Sequence, residues 1–442
     1  MLSDKIYKLT KELNNIFTDS EIHIKKLLSE KNIKTRHKNL SFLDALKYKF
    51  LCVYNNETQR EVVANLNFNN HKANKNNYYH KEQKIPIEYY KHILVKVKQL
   101  FNSYSNNNLA RNVIAVDGTY CNTNFKNDKT LETTLNMGFY DVSNCIPIDV
   151  VLKNHNDKNK EIEGLIDYIS KCDIDLQKVI FVMDRAYFSY DLFNLLNERN
   201  IKFVIRIKNN CEYLNKNTKK KNKRNLNNIR FITYSAQIKE TKKDKNNNNV
   251  EMIRTLQCHL ATNLENIYDD ENIKNIYVSR WNIEVFFKLI KKNFKFANLT
   301  EHNKKTNECY CKSYIVILIN CILERLFELI IGEPNSTNNK YKVKYNKSLA
   351  INGIKKIILE IITSSLTISQ LTNYFKNYFE IIYVEKNKNN PRVSKRPFTK
   401  WYVKNYSDFY KYAKIIDCIK NDTREKLNKN LKTEALTIQL VE

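Results

Sequence analysis

Glycine and proline are scarce, with five of each in 442 residues. Gly118, Gly138, Gly164, Gly332 and Gly353 stand too far apart for a Walker A loop or a GxGxxG turn. That disfavours an ATP-driven helicase, a kinase and a Rossmann dehydrogenase. The eight histidines include no HExxH and no close pair, so histidine-based zinc or nuclease chemistry has little support. Ten cysteines contain no CxxC, and the one close pair, Cys309 and Cys311, has a spacing that suits neither zinc nor redox exchange. Reduced intracellular thiols are the default for such usage. The opening MLSDKIYKLTKEL lacks the apolar stretch of a secretion signal. The most apolar run, Tyr314 to Ile331, carries Asn320, Glu324, Arg325 and Glu328, which reads as a core helix and not as a membrane span.

Acidic residues are in deficit. Lys and Arg number 75 against 47 Asp and Glu, a net charge of +28. A surplus of that size points to a polyanionic partner, most simply nucleic acid. A genome rich in A/T codons accounts for part of it, because Lys, Asn, Ile and Tyr dominate the chain. With 42% hydrophobic and 12% aromatic residues, the chain can bury a large core.

Residues 1 to about 105 read as helical, with helix-like apolar spacing over Ile6–Phe17, Glu21–Glu30, Phe42–Val53 and Ile87–Phe101. The stretch Asn55–Phe68 resembles the first helix of a helix-turn-helix, although a generic helical domain explains it equally well. The texture then changes. VIAVDGTY, LETTLNMGFYDV and CIPIDVVLKN read as three antiparallel strands. NKEIEGLIDYIS is a helix, KVIFVMDRAY a buried strand, SYDLFNLLNERN a helix and KFVIRIK a strand. That order is the ribonuclease H-like pattern. The expected fold is therefore α/β, a ribonuclease H-like catalytic core with a β-strand insertion, flanked by helical N- and C-terminal regions. The boundaries read as 1–110, 111–300 with the insertion at about 209–265, and 301–442. The lysine runs KNTKKKNKR and KETKKDKNNNN fall in the insertion, as basic contact loops or as solvated low-complexity loops. Helices are expected again over Thr306–Ile331, Leu349–Thr363 and Ile368–Ile382. A basic stretch, Lys386–Tyr402, then either follows a nucleic-acid backbone or serves as a connector.

Two aspartates share one context. Asp117 ends Val113–Val116, and Asp184 ends Val179–Met183. A charge at the tip of a buried strand is costly without a partner, and ligands gather at strand ends in open sheets. In a ribonuclease H-like sheet these two strands are neighbours, so the carboxylates converge. In YVSRWNIEVFFKLIKK, an advance of about 100° per residue puts Tyr277, Arg280, Glu284 and Lys291 on one stripe. Ile283, Phe286, Phe287, Ile290 and Phe294 fall on a neighbouring apolar face. Three carboxylates without histidine form a hard oxygen set that suits two Mg²⁺ or Mn²⁺ ions. Such a pair activates a water or a 3′-hydroxyl and stabilises the leaving oxygen. A surface helix with an ordinary Arg280–Glu284 pair explains the stripe as well.

Tyr277, Arg280, Glu284 and Lys291 match Y-(2)-R-(3)-E-(6)-K. With Asp117 in VDGTY and Asp184 in MDRAY, the chain resembles the insertion-sequence-four family of DDE transposases over about residues 112–297. The β insertion and Thr262–Leu264 (TNL) fit the resemblance too. It implies a catalytic and metal-binding triad of Asp117, Asp184 and Glu284, with Tyr277, Arg280, Lys291, Arg185 and Trp281 against DNA. Trp281 either wedges the duplex or packs. The resemblance further implies nicking at transposon ends, 3′-hydroxyl attack, second-strand cleavage through a hairpin in well-known members, and joining to target DNA. The implied partners are double-stranded DNA and a second copy of the chain in a synaptic dimer, with no membrane. The implied location is inside the cell with the genome. Two alternatives stay open: a domesticated DNA-binding protein without catalysis, and another ribonuclease H-like nuclease. His155, after the third strand, organises that edge or is a structural loop histidine.

Overall fold

The structure, a computed structural model, describes residues 2–32, 40–55, 59–67, 73–105, 111–123, 132–154, 160–172, 174–209, 228–243, 249–296, 306–332, 334, 341–363, 367–379 and 381–385. His155, the whole of the lysine run KNTKKKNKR, residues 244–248 of the second run and the basic stretch 386–402 lie outside these residues. Contacts divide the chain into two units. One holds residues 1–234 and 258–387, and the other holds 235–257 and 388–442.

The first helices are α1 (Leu2–Glu30), α2 (Phe42–Asn55), α3 (Gln59–Asn67), α4 (Lys75–Lys84) and α5 (Ile87–Tyr104). The apolar spacing suggested two helices before residue 30. The structure has one, because Ile6, Leu9, Leu13, Phe17, Ile24 and Leu28 keep one buried stripe without a breaker between them. Helix α4 was not anticipated, since KNNYYHKEQK shows little apolar periodicity. It starts where the Asn74 side chain accepts from Asn77 N at 3.0 Å.

Next come β1 (Asn112–Thr123), β2 (Glu132–Asp141), β3 (Ile146–Asn154), α6 (Lys160–Lys171), β4 (Val179–Met183), α7 (Tyr190–Glu198) and β5 (Lys202–Ile207). Strands β6 (Arg230–Lys243) and β7 (Asn249–Thr262) complete a seven-stranded sheet of order β3-β2-β1-β4-β5-β7-β6. Pairs β1–β2 and β2–β3 are antiparallel, whereas β1–β4 and β4–β5 are parallel. The chain is thus an α/β protein with a ribonuclease H-like core flanked by helices. The β insertion extends this sheet at its far edge: β7 runs antiparallel to β5, from Val204 opposite Thr262 to Ile207 opposite His259. The TNL residues fasten it. Thr262 Oγ1 donates to Phe203 O at 2.7 Å, and Asn263 Oδ1 accepts from Phe203 N at 3.0 Å.

The chain continues with α8 (Asp270–Ser279), α9 (Trp281–Phe294), α10 (Thr306–Ile331), β8 (Tyr341–Tyr345), α11 (Lys347–Thr363), α12 (Ile368–Tyr378) and β9 (Ile381–Glu385). The two-stranded sheet β8–β9 was not anticipated, and the helix expected to reach Ile382 ends at Tyr378. Among the described residues no helix is long and apolar enough to cross a membrane.

Side-chain alternation along β1 separates two cores. Ala115 joins a core shared with α1, α2, α5, α9, α10, α11 and α12, whereas Ile114 and Val116 join the core under α6 and α7. Helix α9 contributes Ile283, Phe286, Phe287, Ile290 and Phe294 to the first core. Each such side chain stabilises its docking by about 1.5–3 kcal/mol.

Candidate active site

Strand β1 pairs with β4 only from Asn112 opposite Val179 to Ala115 opposite Val182. Beyond that point β4 ends, while β1 continues beside β2. Asp117 is therefore within its strand and not at the tip that its apolar run suggested. It still comes just past the last parallel pair, where the sheet opens. Asp184 follows β4 directly and caps the short 3₁₀ turn Arg185–Tyr187, accepting from Ala186 N at 2.7 Å. Asp117 Oδ1 accepts from Gly118 N at 2.9 Å. Both aspartates thus share one end of the parallel pair, the arrangement expected from the sequence.

Gly138 brings α9 close to the same part of the sheet. It is the register partner of Asp117 on β2. A Cβ there would stand 2.9 Å from the Phe287 ring. The bare backbone lets α9 lie close against the sheet, with Glu284 in its first turn. Arg280 links the parts: its Nη1 is 3.2 Å from Asp117 Oδ2, and its Nη2 is 2.8 Å from Glu284 Oε1. The single helix expected over Tyr277–Lys292 is divided, since α8 ends and α9 begins around Arg280. Arg280 keeps right-handed helical angles (φ −49°, ψ −32°), with 3.1 Å bonds to Tyr277 O and from Ile283 N. The stripe survives the break for that reason.

The remaining stripe residues differ in setting. Tyr277 is 8% exposed, among Ile180, Val182, Val204 and Leu260, so its ring is part of the core. The Arg280 guanidinium carbon lies 5.9 Å from that ring. Arg206 of β5 also bears on the Tyr277 hydroxyl, a neighbour that sequence reasoning missed. Trp281 is half-buried, with Lys288 Nζ 4.9 Å from its ring centre. Lys291 is half-buried near the Cys121 thiol of β1. Arg185 is exposed in the turn after Asp184.

Glu161, in the first turn of α6, was also missed. Acids are common at helix N-termini because they complement the dipole, so the sequence held no distinguishing signal. Burial pushes the Glu161 carboxyl up to about 7, with the charges of Asp184 and Asp117 adding to it. Burial likewise raises Asp117 to about 6; Arg280 opposes this, and Asp184 and Glu284 reinforce it. Tyr187 is fully buried, and among the described residues its hydroxyl has no hydrogen-bond partner. Glu161, Asp117, Asp184 and Arg280 all act on that hydroxyl electrostatically.

A hard divalent cation fits this donor set. The carboxylates are all-oxygen ligands, they repel one another, and a buried hydroxyl beside them lacks a partner. They are not gathered into a coordination shell. Among the described residues no group of three or more His, Cys, Asp or Glu is placed to hold a metal ion. The guanidinium of Arg280 accounts for part of this, since it takes up oxygens of Asp117 and Glu284.

Residues 108–320 match the family described as transposase DDE domain. The matched segment is just under half of the chain and contains Asp117, Glu161, Asp184 and Glu284. It supports a DDE transposase. No curated protein matches the chain. A cryo-EM structure of the piggyBac transposase synaptic complex with hairpin DNA is similar over 89% of each chain, at 9% identity and a TM-score of 0.42.

Proposed function

We propose that this chain is a DDE transposase of the insertion-sequence-four type. In this reading it performs cut-and-paste transposition by hydrolysis at transposon ends followed by 3′-hydroxyl strand transfer into target DNA. The observation that carries the proposal is the Arg280 bridge between Asp117 and Glu284, at the spacing of the signature and beside the end of β4 where Asp184 stands.

Asp117, Asp184 and Glu284 would hold the cations. Two Mg²⁺ or Mn²⁺ ions, when bound, would supply activation of an oxygen nucleophile and stabilisation of the departing 3′-oxygen. With cations bound, Asp117 and Glu284 would no longer need Arg280 as their counter-charge, and its guanidinium would be available to a DNA phosphate. Lys291 and Arg185 add cationic contacts on either side. Tyr277 positions Arg280 from beneath, and reaches DNA itself only by leaving its buried setting. Trp281 borders the bound end. The helices of residues 1–110 and the basic region 301–442 contact DNA or the second copy in a synaptic homodimer. The protein works inside the cell, with the genome.

The test is cleavage of a labelled duplex ending in the element's own flanking repeats, in Mg²⁺, Mn²⁺ or Ca²⁺. Mg²⁺-dependent 3′-end nicking by the wild type, abolished in Asp117→Asn and Glu284→Gln with binding retained, supports the proposal. Tight binding without cleavage in any metal identifies a DNA-binding protein. If the chain neither binds nor cuts those ends, the transposon-end reading falls.

A further inference from the structure

We propose that Glu161 is a fourth cation-holding carboxylate of this centre, reaching the ion past the bare backbone of Gly118. The proposal rests on the reading of the centre as a divalent-cation site, and it adds a residue that the three-acid signature does not contain.

Three observations place Glu161 there. First, a Cβ on Gly118 would stand 2.5 Å from Glu161 Oε1 and 3.4 Å from its Cδ. The carboxylate of α6 therefore lies directly over the residue that follows Asp117. Gly118 has no left-handed backbone angle to require glycine. A Cβ there would also stand 2.8 Å from Leu135 Cδ1, so Glu161 and Leu135 together leave little room for a side chain at this position. Second, the half-buried Glu161 has no cationic partner among the described residues. Among the described residues the carboxylates that Arg280 pairs with are Asp117 and Glu284. Third, the Tyr187 hydroxyl is fully buried without a hydrogen-bond partner among the described residues, and Glu161 is the charged group that acts on it most strongly, ahead of Asp117 and Asp184. Buried hydroxyls ordinarily find a partner. A cation and its oxygen ligands, held between Glu161 and the aspartates, would meet this one.

The geometry gives each residue a separate part. Glu161 approaches from the helix that crosses between β3 and β4, on the face of the sheet that carries Ile114 and Val116. Glu284 approaches from α9, on the face that carries Ala115. The two glutamates thus come to the aspartates from opposite sides of the sheet. A site closed from both faces holds an ion with more oxygen ligands than the triad supplies.

The experiment is Mn²⁺ binding to the full-length protein, read from the free-ion paramagnetic resonance signal, without DNA and without any activity assay. Glu161→Gln is expected to weaken binding roughly ten-fold or more, as loss of a supporting oxygen does in metal sites. Gly118→Ala, whose methyl crowds both Glu161 and Leu135 while leaving Glu161 in the chain, is expected to weaken it too. Asp117→Asn is the reference. If Asp117→Asn loses Mn²⁺ while Glu161→Gln binds like the wild type, this proposal is overturned and the three-acid reading stands. If the wild type itself binds no Mn²⁺, both fall. On the unaltered chain, carbodiimide labelling of Glu161 should be suppressed by Mn²⁺; labelling that Mn²⁺ leaves unchanged contradicts the proposal.

Discussion

Arg280 Nη1 lies 3.2 Å from Asp117 Oδ2, across 163 positions of sequence. The same guanidinium reaches Glu284 at 2.8 Å. One cation therefore joins the first strand of the sheet to the helix that follows the β insertion. Removing it leaves two half-buried carboxylates facing each other. Arg280→Gln is expected to destabilise the protein by about 1–3 kcal/mol at pH 8 in chelator. The loss should shrink at pH 5, where Asp117 takes up a proton. Urea unfolding at the two pH values measures both effects.

Stability should respond to pH through the raised carboxyls. In the folded chain Asp117 sits at about 6 and Glu161 at about 7, each above its ordinary value. An acid with a raised folded pKa binds its proton more tightly when folded. Its contribution is most favourable below the unfolded pKa and declines as pH rises to the folded one. For these two groups the window runs from about pH 4 to about pH 7. Glu324, also raised to about 7, adds to the same slope in every variant that keeps it. The informative quantity is therefore a difference. In chelator, Glu161→Gln should be more stable than the wild type at pH 8, by on the order of 1–2 kcal/mol, and no more stable at pH 4. Saturating Mg²⁺ should reverse the ranking at pH 8.

Gly138 admits the Phe287 ring opposite Asp117. Gly138→Ala adds a methyl where there is no room, and it should cost about 1–3 kcal/mol. Amide exchange should accelerate over Trp281–Phe294 more than in α6 or α7, because the helix that carries Glu284 is the one displaced. Cleavage by this variant should fall even with all three acids intact, since misplacing a reacting group by about an ångström costs about a hundred-fold in rate. Equal exchange rates in α9 before and after the change would refute this role for Gly138.

Much of this centre was legible because strand patterning is local. Five strands and two helices follow from runs such as KVIFVMDRAY and SYDLFNLLNERN, and the apolar stripe from Ile283 to Phe294 identified the face that docks. The stripe of charges yielded the Arg280–Glu284 pair as well. What was hidden depends on chain segments far apart in sequence. The early end of β4, not the end of β1, exposes Asp117. Glu161 looks like any acid in a first helical turn until α6 lays it over Gly118. Tyr277 sits where a helical wheel can place it on the stripe, but only the packing of α8 on β4, β5 and β7 shows its ring to be buried. The two-stranded sheet β8–β9 pairs segments about forty residues apart, with α11 and α12 between them. The one-helix expectation for Tyr277–Lys292 failed at Arg280 because the junction keeps helical dihedral angles, which leaves periodicity intact while the elements change.

Asp117, Asp184 and Glu284 are proposed to hold the same cations. Fe²⁺ admitted in place of Mg²⁺, with ascorbate and peroxide, breaks a polypeptide beside its bound position, and mass spectrometry locates the cuts. Cuts are expected near all three acids, suppressed together by excess Mg²⁺ and lost together in Asp117→Asn. Cuts near only one of them, or cuts that persist unchanged in Asp117→Asn, would contradict it.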